Sequence, residues 1–537
     1  VAYQSCDAYL QQLLADKMFQ GKLAVPFLLP SPTKANTNLL TCWPLRSTML
    51  EWKDREECST THQAKTVSVI RVGRPELSKS DILNNVISRD NQKIFFNRNS
   101  PQGGERYDRI LSNGSVEMSW FLPKVDKTDE IAKEATRILN LRGDALDFEN
   151  KIDYLAQIST VIVVMIEPSK VKEGLEAVQK LKSKSLKKFG CQVVNLWTRE
   201  RGIKDEADVL EDARDIMDTE ENDDLIEADV EEHHALISSL RDKIRTRLSE
   251  GYQELSHEDI ISRLQSVEPI TENIEVDEDQ DDCRKGLEAG DTMIGYFKDK
   301  SVRDCKKDFL PLQTEQLWGE WSRLEKEKKR ADYENRDEMS TRMNKIREEQ
   351  ARKGATHFVK EFIHQLHVLK DNPQATAVFL QTLRLHLDGL THKCMPGLRS
   401  KRKALFNELR REQEIKENVG HLENSYEDLV KEISNSSFGL EHIFREISQI
   451  YEAMHHDGQL EDNEYFGEKL PELVANLIAH GISFEIMDGE ASNIPRLWMK
   501  AVFKNLNSHR LLEGQKGHPI SVCGVQSSGK STLLNSM

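Results

Sequence analysis

Eight residues close to the end of the chain, Gly524-Val525-Gln526-Ser527-Ser528-Gly529-Lys530-Ser531, match the pattern G-x-x-x-x-G-K-[ST] in full. Those residue types at that spacing bind phosphate. Gly524 and Gly529 leave the backbone bare, so that loop N–H groups, with those of Gln526, Ser527 and Ser528 between them, reach phosphate oxygens where a Cβ would intrude. Lys530 supplies the charge opposite the β and γ phosphates, and the Ser531 hydroxyl is placed to ligate Mg²⁺. Thr532, followed by Leu533-Leu534-Asn535, opens a helix whose positive end faces the nucleotide. The candidate nucleotide contacts are therefore Gly524, Gln526, Ser527, Ser528, Gly529, Lys530, Ser531 and Thr532, with Ser531 as the metal ligand. No catalytic residue is identifiable.

Such a loop has to be held between a strand and a helix. Pro519 to Cys523 supplies a β-branched run ahead of it, and the helix begins behind it. Only five residues follow Thr532, and the chain opens on Val1. The expectation is a chain cut inside its nucleotide-binding domain, with 501–537 as the truncated start of that domain, unable by itself to bind GTP or ATP.

The 537 residues allow several domains, each with its own core. Charged residues make up 31%, aromatic residues 7%, and mean hydropathy is -0.61, which suits a helix-rich, well-solvated protein. A formal charge of -16 argues against nucleic acid and anionic membranes, both of which call for clustered Lys and Arg. The eight cysteines contain no C-x-x-C pair and fit reduced cytosolic thiols. The longest near-continuous apolar run, Val161 to Ile166, falls far short of the roughly 18 residues of a membrane span.

Residues 1–58 read as an N-terminal helix and an irregular connector, since Pro26, Pro30, Pro32 and Pro44 interrupt any pattern. Residues 59–202 alternate strand and helix signals. Val67–Val72, Val116–Leu122, Ile158–Ile166 and Gln192–Trp197 read as strands, and Val171–Leu186 reads as a helix closed by a basic turn and Gly190. That alternation predicts a mostly parallel sheet.

An echo links this region to the C-terminal loop. Val72-Gly73-Arg74-Pro75-Glu76-Leu77-Ser78-Lys79-Ser80-Asp81-Ile82-Leu83-Asn84 repeats the Gly, Lys, Ser, Leu and Asn of Cys523–Asn535 at equal offsets, with Ser78 where Gly529 stands. No D-x-x-G follows the Val116–Leu122 strand, and Asn195-Leu196-Trp197-Thr198 occupies the expected place of an [NT]-K-x-D base reader. Residues 59–202 are therefore expected to be a degenerate P-loop-like α/β domain that keeps the fold without the chemistry.

Residues 203–235 form an acidic linker. The cluster Asp277–Asp282 has Glu288 at calcium-loop spacing, but Asp282 stands where that loop requires glycine, so an ordinary acidic loop is expected. Residues 236–500 read as a helical bundle. Its most charged part, Leu317 to Lys353, would span on the order of 55 Å as one long helix with a thin apolar stripe. His364 and His367, His455 and His456, and His392 with Cys394 lack diagnostic metal spacing and are expected to be surface or packing residues.

With Phe27-Leu28-Leu29-Pro30, Ser434-Asn435-Ser436-Ser437-Phe438-Gly439, His442 to Glu446, and Asp488-Gly489-Glu490-Ala491-Ser492-Asn493-Ile494-Pro495 added to the loop, the chain resembles the interferon-inducible very large GTPases and the related up-regulator of cell proliferation. The resemblance implies GTP and Mg²⁺ as ligands, hydrolysis of GTP by the full-length protein through a domain related to the dynamin and guanylate-binding groups, and a place in cytosol and nucleus. It carries Gly524, Gly529, Lys530, Ser531 and Thr532 over as nucleotide contacts. Self-association through the helical region or the G domain stays open. Two rival readings are a P-loop ATPase with helical arms, disfavoured because transporter-type loops have glycine where Ser527 stands, and a helical interaction scaffold with a silent nucleotide domain.

Overall fold

The computed structural model describes most of residues 3–509; 32–36, 89–92, 97–112, 125–129, 177–190, 200–224, 267–273, 510–537 and some shorter stretches lie outside the described residues. The chain is mixed α/β, with a parallel-rich sheet and many helices, in two units, 1–284 and 285–537.

In the first unit, helix α1 (Ala8–Gln20) precedes strands β1 (Val25–Pro30), β2 (Asn38–Leu40), β3 (Met49–Trp52) and β4 (Arg55–Cys58). Strand β5 (Lys65–Val72) leads into α2 (Lys79–Ile87), followed by β6 (Val116–Phe121), β7 (Thr136–Leu141), α3 (Glu149–Ile158), β8 (Val161–Ile166), β9 (Gln192–Arg199) and β10 (Leu225–Asp229). Helices α4 (His233–Glu250) and α5 (His257–Gln265) and strand β11 (Ile274–Val276) complete it. Among the described residues, nine strands form one sheet in the order β10-β9-β8-β5-β7-β6-β1-β2-β11, and β3 pairs with β4 as a separate hairpin.

The neighbouring strands β10, β9, β8, β5 and β7 are mutually parallel, and β6 runs antiparallel to β7. Strand β8, all apolar in VIVVMI, shows why it lies at the centre. Ile162, Val164 and Ile166 enter one core with Ile152 and Leu155 of α3, and Val161, Val163 and Met165 enter the other with Val86 of α2 and Leu240 and Ile244 of α4. Side chains alternate across a strand, so only a run apolar at every position is buried on both faces. From β5 the chain moves to β7 on one side and then crosses to β8 on the other. That reversal is the kind of switch point at which open α/β sheets form their ligand crevice.

Several expectations change here. Residues 1–58 are no irregular connector, because β1 and β2 join the large sheet. Pro30 terminates β1 and Pro26 lies at a register shift, the places where a strand tolerates proline. Within the expected acidic linker, Leu225–Asp229 forms β10 beside β9, and α4, α5 and β11 belong to the first unit. Asn195–Thr198, read as lacking the base-reader pattern, lies within β9, with Asn195 fully buried. Nor is Asp277 part of a plain acidic loop. It is buried and its carboxylate accepts the N–H groups of Cys42 (3.0 Å) and Trp43 (3.1 Å). The expected Val171–Leu186 helix lies largely outside the described residues.

The described residues of the second unit are helical. Its helices are α6 (Asp281–Ile294), α7 (Val302–Phe309), α8 (Pro311–Thr314), α9 (Leu317–Arg330), α10 (Tyr333–Lys353), α11 (His357–Leu369) and α12 (Pro373–His392). They continue as α13 (Met395–Ile415), α14 (Gly420–Ser436), α15 (Leu440–His456), α16 (Lys469–Ala479) and α17 (Arg496–Asn507). Its core gathers Phe358, Phe362, Phe379, Ile447, Val474 and Trp498 around α15. The long charged helix is instead two, α9 and α10, broken at Ala331-Asp332. Leu317, Leu324, Met343 and Ile346 pack together, Glu320 pairs with Arg342, and the Arg347 guanidinium lies over the Trp321 ring at 4.0 Å. A stripe too thin to bury one helix suffices when the helix folds back and two stripes share one seam.

Candidate nucleotide site

All eight candidate contacts, Gly524, Gln526, Ser527, Ser528, Gly529, Lys530, Ser531 and Thr532, lie outside the described residues. What is described is the element that leads to them. Helix α17 begins after Pro495, which offers no side-chain cap. Glu452 of α15 replaces that cap, accepting the N–H groups of Leu497 (2.7 Å) and Trp498 (3.1 Å). Arg445, two turns earlier on α15, pairs with Glu485 at 2.6 Å and with Asp488 at 3.2 Å. A single buried helix thus anchors both the loop before α17 and the start of α17. Glu446, beside Arg445, accepts from Leu312 N at 2.8 Å and Gln313 Nε2 at 3.0 Å, and burial pushes its carboxyl up to about 7.

The echo segment of the first unit is described in detail. Gly73 leaves the carboxyl end of β5 with φ +75°, and Ser78 is the N-cap of α2, so Gly73–Ser78 does loop from strand to helix beside the switch point. The loop ends of the two neighbouring strands converge on it. After β7 comes Arg142-Gly143-Asp144, and Asp144 Oδ2 accepts the Gly73 N–H at 2.9 Å while its Oδ1 accepts from Leu146 N at 3.1 Å. After β8 comes Glu167, whose Oε2 accepts the Arg74 N–H at 2.5 Å. Lys170 Nζ stands 3.8 Å from Asp144 Oδ2.

Lys79, the counterpart of Lys530 by spacing, points inward. It is buried and donates to the Leu141 carbonyl at the end of β7. Burial, followed by the nearby charges of Arg71 and Arg142, holds its amine well below the usual lysine range. Ser80, the counterpart of Ser531, receives a long 3.5 Å bond from Asn140 Nδ2. Asp144 and Glu167 escape a sequence reading centred on the glycine loop. The signal that finds them is positional: each is a carboxylate just past the carboxyl end of a strand beside β5. Among the described residues there is no cluster of three or more His, Cys, Asp or Glu able to hold a metal ion. Also among them, no helix is long and apolar enough to cross a membrane.

A family model described as up-regulator of cell proliferation-like domain matches residues 1–294, more than half of the chain. The chain belongs to the up-regulator of cell proliferation family. A second model, described as URGCP-like GTPase domain, matches residues 319–537, against an expected start of the nucleotide domain at 501. It therefore takes in α9 to α17 as well as the Gly524 loop, and the chain is that of a GTPase-family protein.

Interferon-induced very large GTPase 1 of Homo sapiens is 28% identical over 562 residues, covering 100% of this chain and 22% of that protein. Its Mus musculus counterpart is 27% identical over 99% of this chain. Up-regulator of cell proliferation of Homo sapiens is 25% identical over 99% of this chain and 56% of that protein. The chain thus spans about a fifth of the first two relatives and about half of the third.

Proposed function

We propose that the chain contributes the phosphate-binding loop of a GTPase, with Gly524, Gln526, Ser527, Ser528, Gly529, Lys530, Ser531 and Thr532 binding GTP and Ser531 ligating Mg²⁺. One observation carries the reading: the complete G-x-x-x-x-G-K-S loop falls within the segment matched by the GTPase-domain model. The names of the relatives favour guanine over adenine. Calorimetry on the full-length protein with Mg²⁺ and a non-hydrolysable GTP or ATP analogue tests this. Saturable binding of the GTP analogue, with much weaker binding of the ATP analogue, is expected. The reverse preference, or no binding, overturns the proposal.

We further infer that the first unit is a nucleotide-silent domain of the same general construction. In support, β5, the Gly73 loop and α2 keep the strand, loop and helix order, while Ser78 replaces the sixth-position glycine and Lys79 is turned into the core. Its part is then structural or recognitional. Hydrolysis belongs to the domain that holds Gly524.

A further inference from the structure

The Gly73 loop has the backbone of an anion-binding site and already contains anions. Successive backbone N–H groups that converge on one side of a turn bind phosphate because each donor gains most from a charged acceptor. Here the first two such donors, on Gly73 and Arg74, point to Asp144 Oδ2 at 2.9 Å and Glu167 Oε2 at 2.5 Å. The carboxylates come from the two strands that flank β5, with Glu167 N also bonded to Val72 O at 3.0 Å, so the sheet itself delivers them. The space that the missing side chain of Gly73 leaves is occupied as well. An added Cβ would lie 2.2 Å from Glu167 Oε2 and 2.7 Å from Glu167 Cβ.

Resting on the reading of the first unit as nucleotide-silent, we propose that Asp144 and Glu167 are a built-in anion that occupies the phosphate position of the Gly73 loop and holds the domain in one state without nucleotide. A tethered acceptor competes at an effective concentration set by the fold, which a free phosphate in solution does not reach. Charge-assisted bonds from carboxylate to backbone N–H are also the strong kind. The device explains why this loop keeps its glycine: the bare backbone now accommodates Glu167. It also makes the conformation of the first unit independent of any nucleotide cycle at the Gly524 loop.

The test uses the full chain carrying Lys530→Ala, so that the C-terminal loop does not bind the probe. Amide exchange is followed in peptides spanning residues 70–78, with and without millimolar inorganic pyrophosphate or GTP. In this parent the loop should be protected and indifferent to both. In Asp144→Asn/Glu167→Gln, protection should fall by at least about tenfold, the scale of one charge-assisted bond, and pyrophosphate should restore most of it. Unchanged protection in the variant would show that the carboxylates do not hold the loop. Loss that pyrophosphate fails to repair would make them ordinary caps. Either result overturns this proposal and leaves the silent-domain reading standing, whereas a parent loop that gains protection with GTP overturns that reading too. If the double variant does not fold, Glu167→Gln alone carries the same outcomes, with Glu167→Asp expected to retain protection because it retains the charge.

Discussion

The chain contains the same spacing twice, at Gly73–Ser80 and at Gly524–Ser531, and of the four fixed positions of the pattern the two loops differ at one, Ser78 against Gly529. The first loop shows how little of the pattern is needed to turn a strand into a helix. Gly73 supplies the left-handed turn, the Ser78 carbonyl accepts from Asp81 N and Ile82 N, and Ile82, Leu83 and Val86 dock α2 on the sheet. Every one of these is a folding role. Phosphate binding asks in addition that the loop donors be vacant and that the lysine face the crevice, and the first loop meets neither demand. Local sequence similarity therefore reports shared backbone geometry before it reports shared chemistry.

The sharpest break between the loops is in their lysines. Lys530→Ala in the full-length protein should weaken GTP binding by at least about 100-fold, since it removes the charge opposite the β and γ phosphates. Lys79→Met should leave GTP affinity unchanged, because Lys79 is buried against the Leu141 carbonyl. Titration of each variant with a fluorescent GTP analogue measures both. Comparable losses in the two variants would mean that the first unit takes part in nucleotide binding.

The glycines give the next largest effect, on stability. Gly73→Ala places a Cβ against Glu167 at φ +75° and should destabilise the first unit by about 2–4 kcal/mol. Gly319→Ala is the counterpart in the second unit. Gly319 is exposed within α9 with nothing within 4 Å of an added Cβ, so the change should stabilise that helix by about 0.5–1 kcal/mol. Urea unfolding, with hydrogen exchange to resolve the two units, separates the signs. A neutral Gly73→Ala would show that Glu167 is not fixed against the loop.

Much of this frame was legible in the sequence, and the parts that were not share a cause. The apolar run Val161–Ile166 announced β8. Strand β7 did not announce itself, because Arg137 and Asn140 interrupt its apolar pattern although both are fully buried. The Arg137 guanidinium reaches Thr66 Oγ1 and the Leu255 carbonyl, both at 3.2 Å, and lies 5.0 Å from the Trp120 ring centre. Partners that far along the chain leave no local signal. Missing β7 meant missing Asp144, and with it the occupied loop. The Gly524 loop, by contrast, rests on its motif and lies outside the described residues.

Buried acids and bases separate the units by pH. Glu446 has its carboxyl raised to about 7 from 4.5, so the folded second unit keeps a proton that the unfolded chain has released. Its contribution is complete below about pH 4.5 and is lost as pH rises to 7. Acidification from 7 to 5 should therefore stabilise this unit, by up to about 1.4 kcal/mol per pH unit. In the first unit two groups oppose each other. Asp277, raised by burial to about 7, acts in the same direction, but His257, lowered by burial and by Arg137 to about 3, costs stability as pH falls below 6.5. Its response should be nearly flat between pH 6.5 and 3.8. Glu446→Gln should flatten the second unit, and Asp277→Asn should expose the His257 loss in the first; an unchanged profile in either variant removes that group from the account.

The smallest expected effect tests the comparison most directly. Ser78→Gly gives the first loop the glycine it lacks and makes it a formal match to G-x-x-x-x-G-K-S. The Ser78 side chain makes no cap bond to α2, and glycine is nearly as good an N-cap, so stability should change by only a few tenths of a kcal/mol. Nucleotide binding should not appear, because the Gly73 and Arg74 donors still face Asp144 and Glu167 and Lys79 still faces Leu141. Thermal unfolding of the first unit, in the chain with Lys530→Ala, should be the same with and without GTP and Mg²⁺, since only a ligand of the native state raises it. A rise in midpoint on adding GTP would mean that the sixth-position glycine alone separates a silent loop from a working one, and that the carboxylates yield to phosphate once the side chain at residue 78 is gone.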